Sequence, residues 1–318
     1  MSLSLSTRWN ASRHVSGEAM IEEIRGLGID QVELGFDLRL DLVPGVLKCV
    51  QDRSITVHSV HNYCPVPVGA PFPHPEIFTL SSLDRRTRES AIEHTGRTIQ
   101  FAAEAGASVV VMHGGNVEMR NWTADLCELY RKGQQFTPAY EKAKLKLLMT
   151  RDKKAPRQLD HLYHGLEMLL PVLQKSNVRL AIEIVPQWEG IPTESEMAGI
   201  ATRFGDPHIA YWHDMGHGQI RQNLGLISHL RWVEKLLPWL AGVHIHDVGE
   251  PLVDHLMPPM GTIDFARFRF LSERDIVRVL EPSSQLSAEQ VKEGIETIRR
   301  VWAPAAAAPS AGETRSGS

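Results

Sequence analysis

Histidines and carboxylates close one apolar run after another in this chain. The runs end as Val57-His58-Ser59-Val60-His61, Val110-Val111-Met112-His113, Ala181-Ile182-Glu183 and Tyr211-Trp212-His213-Asp214, then Val243-His244-Ile245-His246-Asp247 and Val279-Leu280-Glu281-Pro282. A single histidine at such a place is usually a satisfied structural residue. Six ends in one chain form a constellation. Burying several carboxylates together is unfavourable unless protons or a cation compensate. A divalent metal resolves that conflict, and mixed oxygen and imidazole donors suit Mn, Mg, Co or Zn. Spacing adds detail. His244 and His246 stand two apart, so on a strand both side chains point the same way. Asp214 and His217, three apart just past a run, can serve one site. Glu183 and Glu281 can face each other across a ring, the arrangement that two-sided proton transfer requires.

The elements that must position these groups are short strands alternating with amphipathic helices. Strand candidates are Leu3–Ser6, Gln31–Leu34, Ile55–Val60, Ser108–Met112, Val178–Ile184, Ile209–Trp212, Gly242–His246 and Ile276–Leu280. Several are rich in Val and Ile, as strands buried on both faces are. Helical periodicity occupies 84–105, 161–175, 194–204 and 287–301, with Ser287 as the start of the last. Alternating βα units predict an α/β fold, and eight strands predict a (β/α)8 TIM barrel whose carboxyl strand ends share one mouth. The barrel is expected to be a single domain over 1–302. Residues 116–160 are too long for a plain βα loop and carry the Lys-rich run Lys142 to Arg157, so a helical excursion over the mouth is expected after the fourth strand. The low-complexity stretch 303–318 is expected to be a disordered tail. Gly114-Gly115 would let the backbone approach a ligand, and Trp122, Trp188 and Phe72 lie in loops from which they could stack on a sugar.

Composition narrows the function classes. A net charge of −4 over 318 residues gives no general attraction for nucleic-acid phosphate. Cys49, Cys64 and Cys127 are widely spaced and form no CxxC pair, which fits a reducing compartment. Neither a signal peptide nor a membrane span is legible, so a cytoplasmic address without membrane contact is expected.

The stretches VVVMHGG (109–115), LAIEIVP (180–186), YWHDMGHGQ (211–219), GVHIHDVGE (242–250), DHLMPPMGTIDF (254–265) and VLEP (279–282) resemble the xylose isomerase-like TIM-barrel superfamily, in its sugar (phosphate) isomerase and epimerase branch. The likeness covers roughly residues 3–302. It implies a metal quartet of Glu183, Asp214, His244 and Glu281, with His217 as the histidine of the substrate site. It implies an isomerase or epimerase acting on a sugar or keto-sugar, phosphorylated or not. Glu183 or Glu281 would remove an α-proton and the other return it, through a metal-stabilised enediolate. A lyase or hydratase of a keto-sugar would start with the same step. A homodimer is a further expectation. AP endonucleases of the same superfamily hold up to three zinc ions, and His61, His113 and His255 fall where extra histidine ligands would stand, with His246 as another candidate metal or substrate ligand. The aspartate expected two residues before His255 is Val253, which weakens that zinc phosphodiesterase alternative.

Overall fold

The computed structural model describes residues 1–304; the expectation of a disordered tail lies, from residue 305 on, outside the described residues. Eight parallel strands close a barrel: β1 (Ser4–Ser6), β2 (Gln31–Leu34), β3 (Thr56–His61), β4 (Val109–His113), β5 (Arg179–Glu183), β6 (Ile209–Asp214), β7 (Leu240–Ile245) and, after a two-stranded antiparallel flap of β8 (Asp247–Gly249) and β9 (Val253–Leu256), β10 (Val277–Leu280). All eight coincide with the runs expected from sequence, to within two residues at each end. The chain is a TIM barrel.

Period-two alternation then sorts each strand into an inner and an outer row. Ala181 and Glu183, Trp212 and Asp214, Gly242 and His244, and Val279 and Glu281 fall on the inner row. The lower half of that row is a small apolar cluster of Val109, Val111, Ala181, Ala210, Trp212, Ala241 and Val279, separate from the main core between sheet and helices. Trp212 plugs the barrel, and Gly242 makes room for it: a Cβ there would come within 2.2 Å of the indole. The polar residues therefore stand on a dry, filled floor, where a charge interacts with its neighbours rather than with water.

Around the barrel run α1 (Gly17–Gly26), α2 (Val43–Gln51), α3 (Arg85–Glu104), α4 (Trp122–Arg131), α5 (Pro138–Ser176), α6 (Glu194–Phe204), α7 (Met215–Asn223), α8 (His229–Leu236) and α9 (Ala288–Val301). Ser287 starts α9 through a capping box with Gln290, and Thr193 with Glu196 does the same for α6.

The excursion after β4 differs in detail from the sequence expectation. Its second helix does not stop at 160 but runs without a break into the barrel helix as the single 39-residue α5, with Pro156 and Pro171 inside it. Its Lys-rich face does not cover the mouth: Lys144 and Lys154 donate to the carbonyls of Gly225 and Glu118, and no residue of the run lines the mouth cavity. Only the loop before α4, residues 116–121, comes near that cavity. Among the described residues, no helix is long and apolar enough to cross a membrane.

Candidate active site and metal centre

Strands β5, β6, β7 and the end of β10 deliver Glu183, Asp214, His244 and Glu281 to one point. His244 Nδ1 lies 3.5 Å from Glu183 Oε1, 3.6 Å from Asp214 Oδ2 and 3.4 Å from Glu281 Oε2. The quartet that the sequence brings forward is thus one cluster, and every member is buried. Its opposite ring edge is anchored: His244 Nε2 lies 3.1 and 3.2 Å from the two oxygens of Glu33 on β2 and donates to that carboxylate. Glu33 in turn accepts from Ser59 and Ser6. Sequence reasoning missed Glu33; the signal for it was a lone carboxylate inside the apolar run Val32-Glu33-Leu34.

Burial opposes the charge on each group, and proximity reverses that effect. His244, beside Glu281, Glu33 and Glu183, is held protonated well above the usual imidazole range. His244 and His113 in turn hold the Glu183 carboxyl well below its usual range. Against the same burial, His244 and Arg8 pull Glu281 down to about 2. His217 and His246 lower Asp214 strongly. Four buried carboxylates here are balanced by protons on imidazoles, the charge balance a divalent cation would take over.

The donor atoms fit a metal. His244 Nδ1, Glu183 Oε2 and His217 Nδ1 are buried polar atoms without a hydrogen-bond partner, although such atoms are normally paired. With Nε2–H committed to Glu33, His244 turns Nδ1 to the three carboxylates, where a bound cation would replace the proton on that atom. One cation between Glu183, Asp214, His244 and Glu281 would satisfy His244 Nδ1, while Glu183 Oε2 is turned to the neighbouring histidines His61 and His113.

A second group stands beside the first. His113 Nε2 and His61 Nε2 lie 3.3 and 3.4 Å from Glu183 Oε2, the side of that carboxylate facing away from His244. Asn62 O accepts from His61 Nδ1 at 2.8 Å, which leaves Nε2 as the free donor atom. Glu76, from the loop after β3, approaches His113 Nδ1 at 3.4 Å. Burial opposes the charge on His113, but Glu183 and Glu76 raise it to about 10. Glu76 had no sequence signal.

His217 joins the quartet, with Nδ1 3.2 Å from Glu183 Oε1, while its backbone N–H is capped by Asp214. His246 takes a different part from that expected. Its Nδ1 accepts the backbone N–H of His255 at 2.9 Å, so its Nε2 carries the proton and donates to Asp214 at 2.9 Å. No lone pair remains for a metal. His246 instead orients Asp214, and Gly216 leaves space for the ring: a Cβ there would sit 1.9 Å from it. His255 Nδ1 donates to the carbonyl of Glu281, which leaves Nε2 free. Val253 is 48% exposed on the flap and supplies no ligand, while Asp254, one place later, lines the mouth cavity.

Over these groups lies a cavity of about 430 Å³ lined by Arg8, Phe36, His61, Glu76, His113, Glu183, Gln187, His217, His255 and Glu281, among others. Arg8 lies over the Phe36 ring and donates to Glu281 Oε1 at 3.0 Å. Neither residue was singled out from sequence. The three loop aromatics expected to stack on a sugar do not line this cavity. Trp122 is covered by Arg120 and Lys146, Trp188 by Arg221, and Phe72 sits in a separate apolar hollow. Gly114 and Gly115 make room for protein rather than ligand, since Cβ atoms there would meet Ile191 O and Ser81 Oγ.

Fold and site define a metal-competent TIM barrel with its ligands at the carboxyl strand ends. A family model described as xylose isomerase-like TIM barrel matches residues 21–301, and the chain belongs to that family. Among solved structures, a D-tagatose 3-epimerase-like protein is 19% identical with a TM-score of 0.65, covering 94% of this chain and 99% of the other. A 3-keto-D-glucoside 4-epimerase from E. coli gives 13% and 0.66 over 94% and 99%. An L-ribulose 3-epimerase gives 16% and 0.63 over 97% and 89%. No curated protein matches the sequence.

Proposed function

We propose that the protein is a divalent-metal-dependent epimerase or isomerase of a keto-sugar. The observation that carries this reading is the unpartnered, buried Nδ1 of His244 facing Glu183, Asp214 and Glu281 beneath a polar cavity. The solved structures above, three of them described as sugar epimerases or a relative of one, point the same way. Glu183, Asp214, His244 and Glu281 would hold the metal, which when bound would polarise the substrate carbonyl and lower the energy of the enediolate. Glu183 and Glu281 flank His244 from two strands, and both are ionised at neutral pH, the state a proton acceptor needs. One takes the proton next to the carbonyl and the other returns it on the opposite face or at the neighbouring carbon. His217 orients a substrate hydroxyl. Arg8, bound to Glu281 Oε1, keeps the other oxygen of that carboxylate turned toward His244.

A zinc phosphodiesterase is the second reading, favoured by the separate donor group His61, His113 and Glu183. The protonated Nε2 of His246 and the exposed Val253 count against the three-ion form of such a site. Elemental analysis of protein purified without chelator separates the two. One Mn, Mg, Co or Zn per chain supports the epimerase, whereas two or three zinc ions with nicking of an abasic duplex support the phosphodiesterase. No metal taken up at all contradicts both.

A further inference from the structure

The excursion after β4 has no part in the metal centre, yet its first loop is the most heavily braced segment at the mouth. Val117 N–H donates to Glu189 O and Ile191 N–H to Gly115 O, while Asn116 bridges Gly190. The buried Gln158 of α5 accepts from Glu118 N–H and donates to Asn116 O. Buried Arg151 donates to Gly190 O and to both oxygens of Glu196. Glu189 caps the start of α4 through Trp122 N–H, Thr123 N–H and the Thr123 hydroxyl. Together these fix residues 116–121 against 187–190 as one wall.

That wall encloses a second hollow of about 270 Å³, lined by Glu76, Asn116, Val117, Met119, Asn121, Gln187 and Glu189. Glu76 and Gln187 line both this hollow and the cavity over the metal ligands, so the two meet at those side chains. Glu76 ties them together chemically, with Oε1 near His113 and Oε2 accepting from Asn116 at 2.8 Å. The Gln187 carbonyl serves Gly190 N–H and Arg221, while its side-chain amide makes no hydrogen bond among the described residues. The carboxylates of Glu76 and Glu189 are engaged by Asn116, His113 and the start of α4. The rest of the lining, neutral amides, a thioether and Val117 with no Lys or Arg, suits an uncharged polyol better than an anion. A cavity of 430 Å³ already lies within the roughly 300–1,000 Å³ range of small-ligand sites, so a free monosaccharide has no use for the extension.

On the basis of the proposed function, we infer that this hollow is a second sugar subsite and that the substrate is a glycoside: a keto-sugar ring over the metal ligands, joined to a second neutral sugar beside Met119 and Gln187. The excursion is then the device that selects disaccharides over free sugars.

The test compares metal-loaded wild type with Met119→Trp, which fills the hollow, and Gln187→Ala, which removes its free amide. Glucose and cellobiose are titrated by calorimetry, and solvent deuterium exchange is followed with 3-keto-glucose and 3-keto-cellobiose. The expected result is at least tenfold preference for the disaccharide in binding and in kcat/KM. Met119→Trp should reduce that ratio to within twofold of unity, and Gln187→Ala should reduce it about threefold. Exchange with 3-keto-glucose at least as fast as with the disaccharide, and an unchanged ratio in Met119→Trp, would overturn the subsite while leaving the epimerase reading intact. Metal-loaded protein that exchanges neither sugar and prefers neither in binding would overturn both.

Discussion

Strand β6 separates two histidine clusters that share a residue type and nothing else. On the inner side, His244 and His113 stand among Glu33, Glu76, Glu183, Asp214 and Glu281, and both are raised above their ordinary range, His113 to about 10. On the outer side, Tyr211 bonds His213, and His213 Nε2 meets His229 Nε2 at 2.8 Å. Among the described residues, no carboxylate bonds to this outer pair. Burial therefore lowers His213 to about 4 and holds His229 well below its usual range. Burial disfavours the charged imidazole in both places, and carboxylates in direct contact outweigh it only for His244 and His113. The inner cluster is built to hold positive charge, as protons or as a metal. The outer one is a neutral polar strut that positions β6 from behind.

The largest test of this contrast removes an inner carboxylate. Glu281→Gln should lower kcat on a responsive keto-sugar by about 10²–10⁴-fold, the usual contribution of general acid–base groups. Elemental analysis should still find metal; full turnover with metal bound would refute the assignment. A smaller effect is expected one layer out. Gly216→Ala drives a methyl into the His246 ring and so releases Asp214, and Glu33→Gln loosens His244. Each should weaken metal affinity by about 10–100-fold, measured by competition with a chelator. Unchanged affinity in both would mean that these contacts do not tune the site.

The smallest expected effect on activity lies on the outer side, where the change is in stability and depends on pH. The folded pKa values of His213 and His229 lie below the ordinary 6.5, so the unfolded chain binds more protons as pH falls below that value. Their contribution to stability is complete above 6.5 and lost as pH falls from 6.5 toward 4. The slope is about 1.4 kcal/mol per pH unit for each histidine. Denaturant titrations across that window should show it, and His229→Leu should flatten it. An unchanged slope in His229→Leu would place the acid sensitivity elsewhere.

Much of this was legible because a parallel barrel writes its plan locally. Val109–His113 and Ile209–Asp214 are apolar runs of the right length, and each ends in the residue that reaches the mouth. The quartet stands at such ends, and the family resemblance singled it out among them. What escaped depended on contacts distant in sequence. Glu33 is 211 positions from His244, and Arg8 is 273 from Glu281. His246 carries ligand-type chemistry in sequence, and only the His255 N–H on its Nδ1 shows that its lone pair is taken. Trp122 and Trp188 looked free to stack on a sugar, but cations of their own chain cover both rings. The join at 160 was invisible because Pro156, an ordinary helix breaker, sits inside α5 just before it.

The central claim is tested most directly by incubating the metal-loaded protein with a panel of ketoses and keto-sugars in deuterated water. The account predicts deuterium at the carbon next to the carbonyl of at least one sugar, with the epimer or isomer appearing alongside. The absence of exchange on every sugar, with one metal bound per chain, would contradict it.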